Sequence, residues 1–348
     1  MSTIFKRNKQ CLFLLWAAIS ALALIWTGCS RSPSDPDQEV VVYTSEDQVF
    51  SEPILRDFET ETGIKVKAVF DTEETKSTGV MNRLIAEKSN PQADVFWANE
   101  PIRAEILKQK GIAAVYQSPQ GAEIPDVYKD PEGFWTGFSA RARVFVVNKN
   151  VENKPSSIRA YTDPRWKGKG VIANPLFGTT TVEIAAIFTL WGDDRARAFM
   201  EDMKKNNVDI STSNGESTDF VGSGQYDYSL VDSDDAVSRI RQGKNIEMVY
   251  PDQGENEVGC LIVPNATVLI KGARHPDNAR KLIDYLLSRA TERKLAFADC
   301  AQIPLHSETE TPAEVRPIEE IKAMDINYGQ VAHKMEEIQP YLKQWVGY

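Results

Sequence analysis

The 348 residues carry 40 Lys and Arg against 50 Asp and Glu, a formal charge of −10, together with 7 Trp, 11 Tyr and 14 Phe. A chain of this length exceeds one ordinary core and predicts two packed lobes, and its aromatic content excludes a disordered scaffold. An acidic balance with no basic stripe excludes nucleic acid as a partner.

Lys6, Arg7 and Lys9 precede an uncharged apolar run from Cys11 to Trp26, the layout of an export signal. The run ends at Thr27, Gly28, Cys29 and Ser30, where small residues before a cysteine resemble a bacterial lipobox. This predicts a signal peptide over 1–28, lipidation of Cys29, and a place in the cell envelope on the extracytoplasmic side. Trp26 stands where an aliphatic residue is usual, which leaves an uncleaved anchor as the competing reading. Residues 29–38, with Ser, Pro and Asp and no apolar period, read as a flexible tether. Cys260 and Cys300 remain in the body. Spacing leaves open whether they form a disulfide or stay as two buried thiols. His275, His306 and His333 are scattered singly, and no zinc-type spacing occurs.

Val40–Tyr43 reads as a strand, followed by a helix through Phe50, Ile54, Leu55 and Phe58 that Gly63 stops. Ile64, Val66, Ala68 and Phe70 alternate as a second strand. A helix carrying Val80, Met81, Leu84 and Ile85, a strand at Ala93–Trp97 and a helix through Ile102, Ile106 and Leu107 complete a β-α-β-α-β-α series. Such a series implies a parallel, right-handed sheet. A strand at Val144–Val147 follows, which places a first crossing between lobes near Trp135 to Arg143. The second lobe is predicted to hold strands at Val171–Ala173 and Tyr228–Val231, with helices at Thr180–Trp191, Asp194–Lys205 and Asp234–Gln242. Strands at Leu261–Val263 and Thr267–Ile270 return the chain, and a helix follows from Asn278 to Leu287. The expected division is 39–136 with 260–310 as the first lobe, 137–259 as the second, and 311–348 as a helical tail.

In open α/β sheets ligands bind beyond the carboxyl ends of strands. That rule selects Thr44, Ser45, Glu46 and Gln48 in the first loop, Lys76 in the polar stretch after Phe70, and Asn99 after the third strand. Asn174 to Thr181 runs into an apolar helix. Gly178, Thr179 and Thr180 there form an anion cradle from free N–H groups and hydroxyls, and plain N-capping by Thr is the alternative. Arg141, nearer the cleft than Arg143, is the candidate for pairing with a bound anion, against a hinge salt bridge. Asp232, Asp234 and Asp235, with Glu46, are hard oxygen donors suited to a metal cation or an ammonium. The alternative is that Asp232 or Ser233 caps the following helix and the other acids favour its dipole.

Four stretches together resemble bacterial extracellular solute-binding proteins of the ferric-iron-transport type. They are VVYTSEDQVF with DFETETGIKV, then NPQADVFWANE, then YTDPRWKGK before VIANPLFGTTT, and VPNATVLIKGARHPDNARKLIDYLLS followed by AQIPL. The resemblance spans most of Val40 to Leu305. It implies an α/β, two-lobed type II clamp with crossing strands as a hinge, a monomer, serving the permease and ATPase subunits of an ABC importer. It also implies that the loop at Gly178–Thr180 holds a phosphate-like anion. The cargo is then a metal ion with an anion, iron among them, or a phosphate- or phosphonate-bearing solute, and no cofactor is expected. The chain departs from the pattern at Asp234 and Asp235, where ferric-binding members often carry adjacent tyrosines. There is no GxSxG elbow, HExxH or glycine-rich phosphate loop, so a binding protein is expected rather than an enzyme. The alternatives are a hydrolase using the cleft carboxylates and an envelope protein that has lost its ligand.

Overall fold

The computed structural model describes residues 38–71 and 79–347. The leader, Cys29, the tether up to Asp37 and Lys76 therefore lie outside the described residues. Glu39–Tyr348 forms one compact unit. Among the described residues, no helix is long and apolar enough to cross a membrane.

The predicted opening series is present. Strand β1 (Glu39–Thr44) lies parallel to β2 (Lys65–Phe70) and β3 (Val95–Ala98). Helices α1 (Gln48–Thr62), α2 (Gly79–Ala86) and α3 (Pro101–Gln109) follow these strands in turn. Gly63 ends α1 because its φ of 73° is open to glycine, and its N–H reaches the Glu59 carbonyl at 2.9 Å. Strand β4 (Ala113–Ala114) is a short addition.

The crossing is a single strand, β5 (Thr136–Asn148), buried at all thirteen positions. Its first half pairs antiparallel with β10 (Ile262–Ile270) up to Ala142. From Arg143 onward it pairs with β8 (Tyr228–Asp232) and β9 (Ile246–Val249). The change of partner falls between Ala142 and Arg143, inside the predicted interval. The second sheet continues through β6 (Gly170–Ala173) and β7 (Asp209–Ser211), both parallel with β8. Its helices are α4 (Gly178–Trp191), α5 (Asp193–Lys205), α6 (Asn214–Ser223) and α7 (Ser233–Arg241). The fold is thus the two-lobed α/β clamp of type II.

Three local readings change. The two short strands expected at Leu261–Val263 and Thr267–Ile270 are one strand, β10. Pro264 is tolerated because the register shifts between Pro264 and Asn265, where a bulge needs no ladder donor. After α8 (Pro276–Leu286) comes an unpredicted helix, α9 (Arg289–Phe297). The tail is also no appendage. Its helix α10 (Tyr328–Val346) packs on α3 of the first lobe and α4 of the second, burying Val331, Ile338 and Leu342. Tyr328 donates to the Ile262 carbonyl at 2.7 Å and Trp345 to the Met200 carbonyl at 3.0 Å.

Cys260 and Cys300 are free and buried, which corrects the disulfide alternative. Cys260 lies beside Ala323 in an isolated bridge, whereas the Cys300 thiol donates to the Leu295 carbonyl at 3.4 Å. Burial pushes the Cys260 thiol up to about 12 and raises Cys300 as well, which keeps both protonated and inert.

Candidate functional site

The carboxyl ends of β1, β3, β6, β7 and β8 open on one cleft of about 910 Å3. That volume lies within the range of roughly 300–1,000 Å3 usual for organic ligands, well above what a bare ion needs. A crevice of about 960 Å3 elsewhere on the second lobe is lined by Lys154, Arg165, Lys169 and Asp227. Three of its cations are already paired: Arg165 with Asp163, Lys169 with Asp227 and Lys154 with Glu247. The interlobe cleft is the better candidate, because strand ends and helix starts converge there.

On the first-lobe side Glu46, Asp47, Asn99 and Arg141 line the cleft. Thr44 and Ser45 are fully covered and lie behind it, shaping the loop rather than facing a ligand. Thr44 Oγ1 accepts from the Glu46 N–H at 3.0 Å, and the Ser45 hydroxyl donates to Asn99 Oδ1 at 3.0 Å. Gln48 is exposed and donates to Glu52 one helical turn on, so it is not part of the wall. Each departure has its own cause: the period of α1 carries Gln48 outward, while the tight turn after β1 folds the hydroxyls of Thr44 and Ser45 under the backbone.

Arg141 is 6% exposed, and its Nη2 donates to the Asn99 carbonyl. Its Nε has no hydrogen-bond partner among the described residues. Burial lowers the pKa of this guanidinium, but Asp234, Glu46, Asp232 and Asp47 around it outweigh burial and raise it. Asp232 is paired with Arg143 as well, so Glu46, Asp47 and Asp234 are the acidic groups that a ligand's positive group would meet beside Arg141.

Across the cleft, Gly178 opens α4 with φ at 60°, a conformation suited to glycine, and a Cβ there would meet nothing within 4 Å. Phe177 is the N-cap residue and makes no side-chain capping bond. Neither threonine hydroxyl caps the helix. Thr179 donates to Asp232 Oδ2 at 2.7 Å, and Thr180 accepts from Arg143 Nη2 at 3.3 Å. The N-capping alternative fails for both residues, and the backbone at the start of α4 is left without a side-chain cap on the cleft wall.

Arg143 is entirely buried and is the structural arginine of the pair. Its Nη1 donates to Asp232 Oδ1 at 3.0 Å, Thr179 at 3.1 Å and Asn214 Oδ1 at 3.2 Å, and Nη2 reaches the Leu230 carbonyl at 3.1 Å. Asp232 therefore belongs to this network. Burial pushes its carboxyl up, but Arg143 first, then Arg141 and the Thr179 hydroxyl, hold it below the ordinary carboxylate range. Asp232 also makes no capping bond to α7, so that alternative fails too. Ser233 instead accepts from the Ala142 N–H at 3.1 Å, tying α7 to the crossing strand.

Asp234 and Asp235 remain on the wall, both half-buried. Ligand oxygens of Asp232, Asp234 and Asp235 lie within 4.8 Å of one another. Burial, opposed by Arg141 and reinforced by Asp235 and Asp232, raises the Asp234 carboxyl well above its ordinary value. Asp235 accepts from Arg239 at 3.1 Å. No tyrosine lines the cleft among the described residues, so a phenolate site for iron is not offered by this wall.

Several wall residues were missed from sequence. Asn214 and Gly215 begin α6, and Arg103 and Arg239 also face the cleft. The Ser213–Asn214 start was recognisable as a helix cap. The strand before it, β7, is only three residues long and gave no period to anchor it.

Residues 90–330 match the sequence model of a family described as bacterial extracellular solute-binding protein. Iron uptake protein A1 of Synechocystis is 25% identical over 291 residues, covering 78% of this chain and 79% of its own. A putative 2-aminoethylphosphonate-binding periplasmic protein of Salmonella typhimurium is 24% identical over 336 residues, covering 94% and 93%. Iron-bound HitA from Pseudomonas aeruginosa superposes with a TM-score of 0.77 at 20% identity, over 87% of this chain and 99% of HitA. These relatives are named as uptake and binding proteins, and the chain belongs to the bacterial extracellular solute-binding proteins.

Proposed function

We propose that this chain is the lipid-anchored binding component of an ABC importer, and that its cargo is a small zwitterion with a phosphonate or phosphate at one end and an ammonium at the other. The observation that carries this is the pairing of two features on one cleft wall. The helix start at Gly178–Thr180 has no side-chain cap, and Glu46, Asp47 and Asp234 gather near Arg141. An anion gains from free N–H groups and the helix dipole, and an ammonium from Asp234 and Asp235. The Salmonella relative named for 2-aminoethylphosphonate supports this reading.

A second reading is a metal ion held with an anion, favoured by the spacing of Asp232, Asp234 and Asp235. It is weakened because Asp232 is already bound by Arg143, Thr179 and Asn214. Calorimetric titration of Ser30–Tyr348 with 2-aminoethylphosphonate, inorganic phosphate and ferric citrate separates the two. The zwitterion is expected to bind at least about tenfold more tightly than phosphate, and Asp234→Asn with Asp235→Asn to remove that preference. Binding of ferric citrate alone would replace the phospho-compound by iron as cargo.

The anchor has its own test. Cells expressing the full chain are expected to incorporate radiolabelled palmitate into it, and Cys29→Ala to abolish the label. Retention of the label in Cys29→Ala would remove the lipid from this proposal.

A further inference from the structure

Beneath the anion end of the cleft lies a second carboxylate that no ligand contact uses. Glu183 sits on α4, four residues beyond Thr179, and is 1% exposed. Its Oε2 is 3.9 Å from Arg143 Nε, too far for a hydrogen bond. Both atoms lack a hydrogen-bond partner among the described residues. Every other nitrogen of that guanidinium is engaged by Asp232, Thr179, Thr180, Asn214 or the Leu230 carbonyl. Arg143 thus stands between two buried carboxylates, and its contacts favour one of them.

We propose that Glu183 is a positioning residue for the anion half-site, acting through Arg143, so that a proton on Glu183 strengthens ligand binding and its loss weakens it. The inference rests on the phospho-ligand reading of the cleft. With the proton present, Arg143 belongs to Asp232 and the two threonines that shape the start of α4. Without it, a second negative charge competes for the guanidinium and lies under the helix end where the ligand's anion sits. The groups facing Glu183 are Arg143 on β5, Asp232 at the end of β8, Asp252 and Cys260 on the return crossing, and Tyr161 before β6. Burial raises the Glu183 carboxyl to about 7; Arg143 opposes this, and Asp252 and Asp232 add to it. A raised carboxyl contributes stability that is complete below its unfolded value and is lost as pH rises through its folded value.

The test compares the wild-type chain with Glu183→Gln, which keeps size and removes the titration. The affinity for 2-aminoethylphosphonate is measured from about pH 5.5 to about pH 8.5, and the ligand's own titration cancels in the ratio of the two proteins. The expected ratio is near one at the acid end, with the variant on the order of tenfold tighter at the alkaline end. A ratio independent of pH overturns the coupling and leaves the cargo standing. Absence of binding by both proteins at every pH overturns the cargo and the coupling together. A ligand-free arm follows urea midpoints, where the wild type is expected to lose stability relative to Glu183→Gln between about pH 4.5 and pH 7 and to run parallel with it above that. A constant difference also overturns the proposal. Glu183→Met, with the same expectation, serves if Glu183→Gln does not fold.

Discussion

Replacing Arg143 by methionine is expected to lower the unfolding free energy by roughly 3–5 kcal/mol, read as a shift of the urea midpoint at unchanged slope. The side chain is wholly buried and donates to Thr179, Thr180, Asn214, Asp232 and the Leu230 carbonyl. Methionine fills much of the volume, so little of the loss comes from a cavity. The cost comes from Asp232, a buried carboxylate stripped of its counter-charge, and from acceptors left without donors. The loss is expected to shrink as pH falls, because Asp232 then takes a proton and no longer needs the arginine. Arg143→Met combined with Asp232→Asn should recover part of the deficit, since the orphaned charge is gone. A midpoint shift equivalent to less than about 1 kcal/mol would show that this network contributes little and that the start of α4 is held by packing alone.

Gly259→Ala is expected to cost about 2–4 kcal/mol by the same measurement. Gly259 has φ at 82°, and a Cβ there would stand 2.5 Å from the Lys322 carbonyl oxygen and 2.7 Å from Ala323 backbone atoms. Backbone cannot swing aside as a long side chain can. The chain is pinned on both sides of the clash: Cys260 N–H donates to the Lys322 carbonyl at 2.9 Å, and Met324 N–H to the Cys260 carbonyl at 2.9 Å. The substitution must therefore pull the return crossing away from the segment leading into α10. Gly63, also at positive φ, has nothing within 4 Å of its Cβ position. Gly63→Ala is the matched control and is expected to cost only about 1 kcal/mol. Equal losses at the two positions would mean that strain at φ, and not the contact with Lys322, sets the cost at Gly259.

The two cases differ in how far sequence could reach them. Gly63 followed a helical apolar period and preceded an alternating strand, so its role as a helix stop was legible. Gly259 sits in a stretch with no period, and its constraint comes from a segment more than sixty residues away. The same contrast runs through the cleft. The loops after β1, β3, β6 and β8 were found from strand ends, because a parallel α/β sheet presents those ends to one side. Which side chain in each loop faces the ligand was not legible. Its amide makes Gln48 a candidate in sequence, yet the helical period turns it toward Glu52. Adjacency in sequence groups Asp232 with Asp234 and Asp235 as an oxygen donor. The pairing of β5 with β8 sets Arg143 opposite Asp232, and the two neutralise each other.

The arginine pair shows both the reach and the limit of sequence. Arg141 and Arg143 are two residues apart on one strand and on one face; position along the strand selects Arg141 for the cleft, but the buried network that Arg143 holds is invisible to it. The strand changes partners between them, so Arg141 pairs with Val263 in the first sheet and Arg143 with Asp232 in the second. One ends at the cleft beside Asn99, and the other is sealed beneath α4.

Sequence by itself determined the leader-like start, the acidic surface, the alternating β-α order, the two lobes and the strand ends that bear the site, because each depends on composition or a short-range period. The tertiary structure alone decided that β5 is shared between sheets, that α10 joins both lobes, that Cys260 and Cys300 are free, and that Arg143 and Glu183 are buried at the start of α4. Those features depend on contacts between residues distant in the chain, where pairing and burial, rather than local pattern, select the partner.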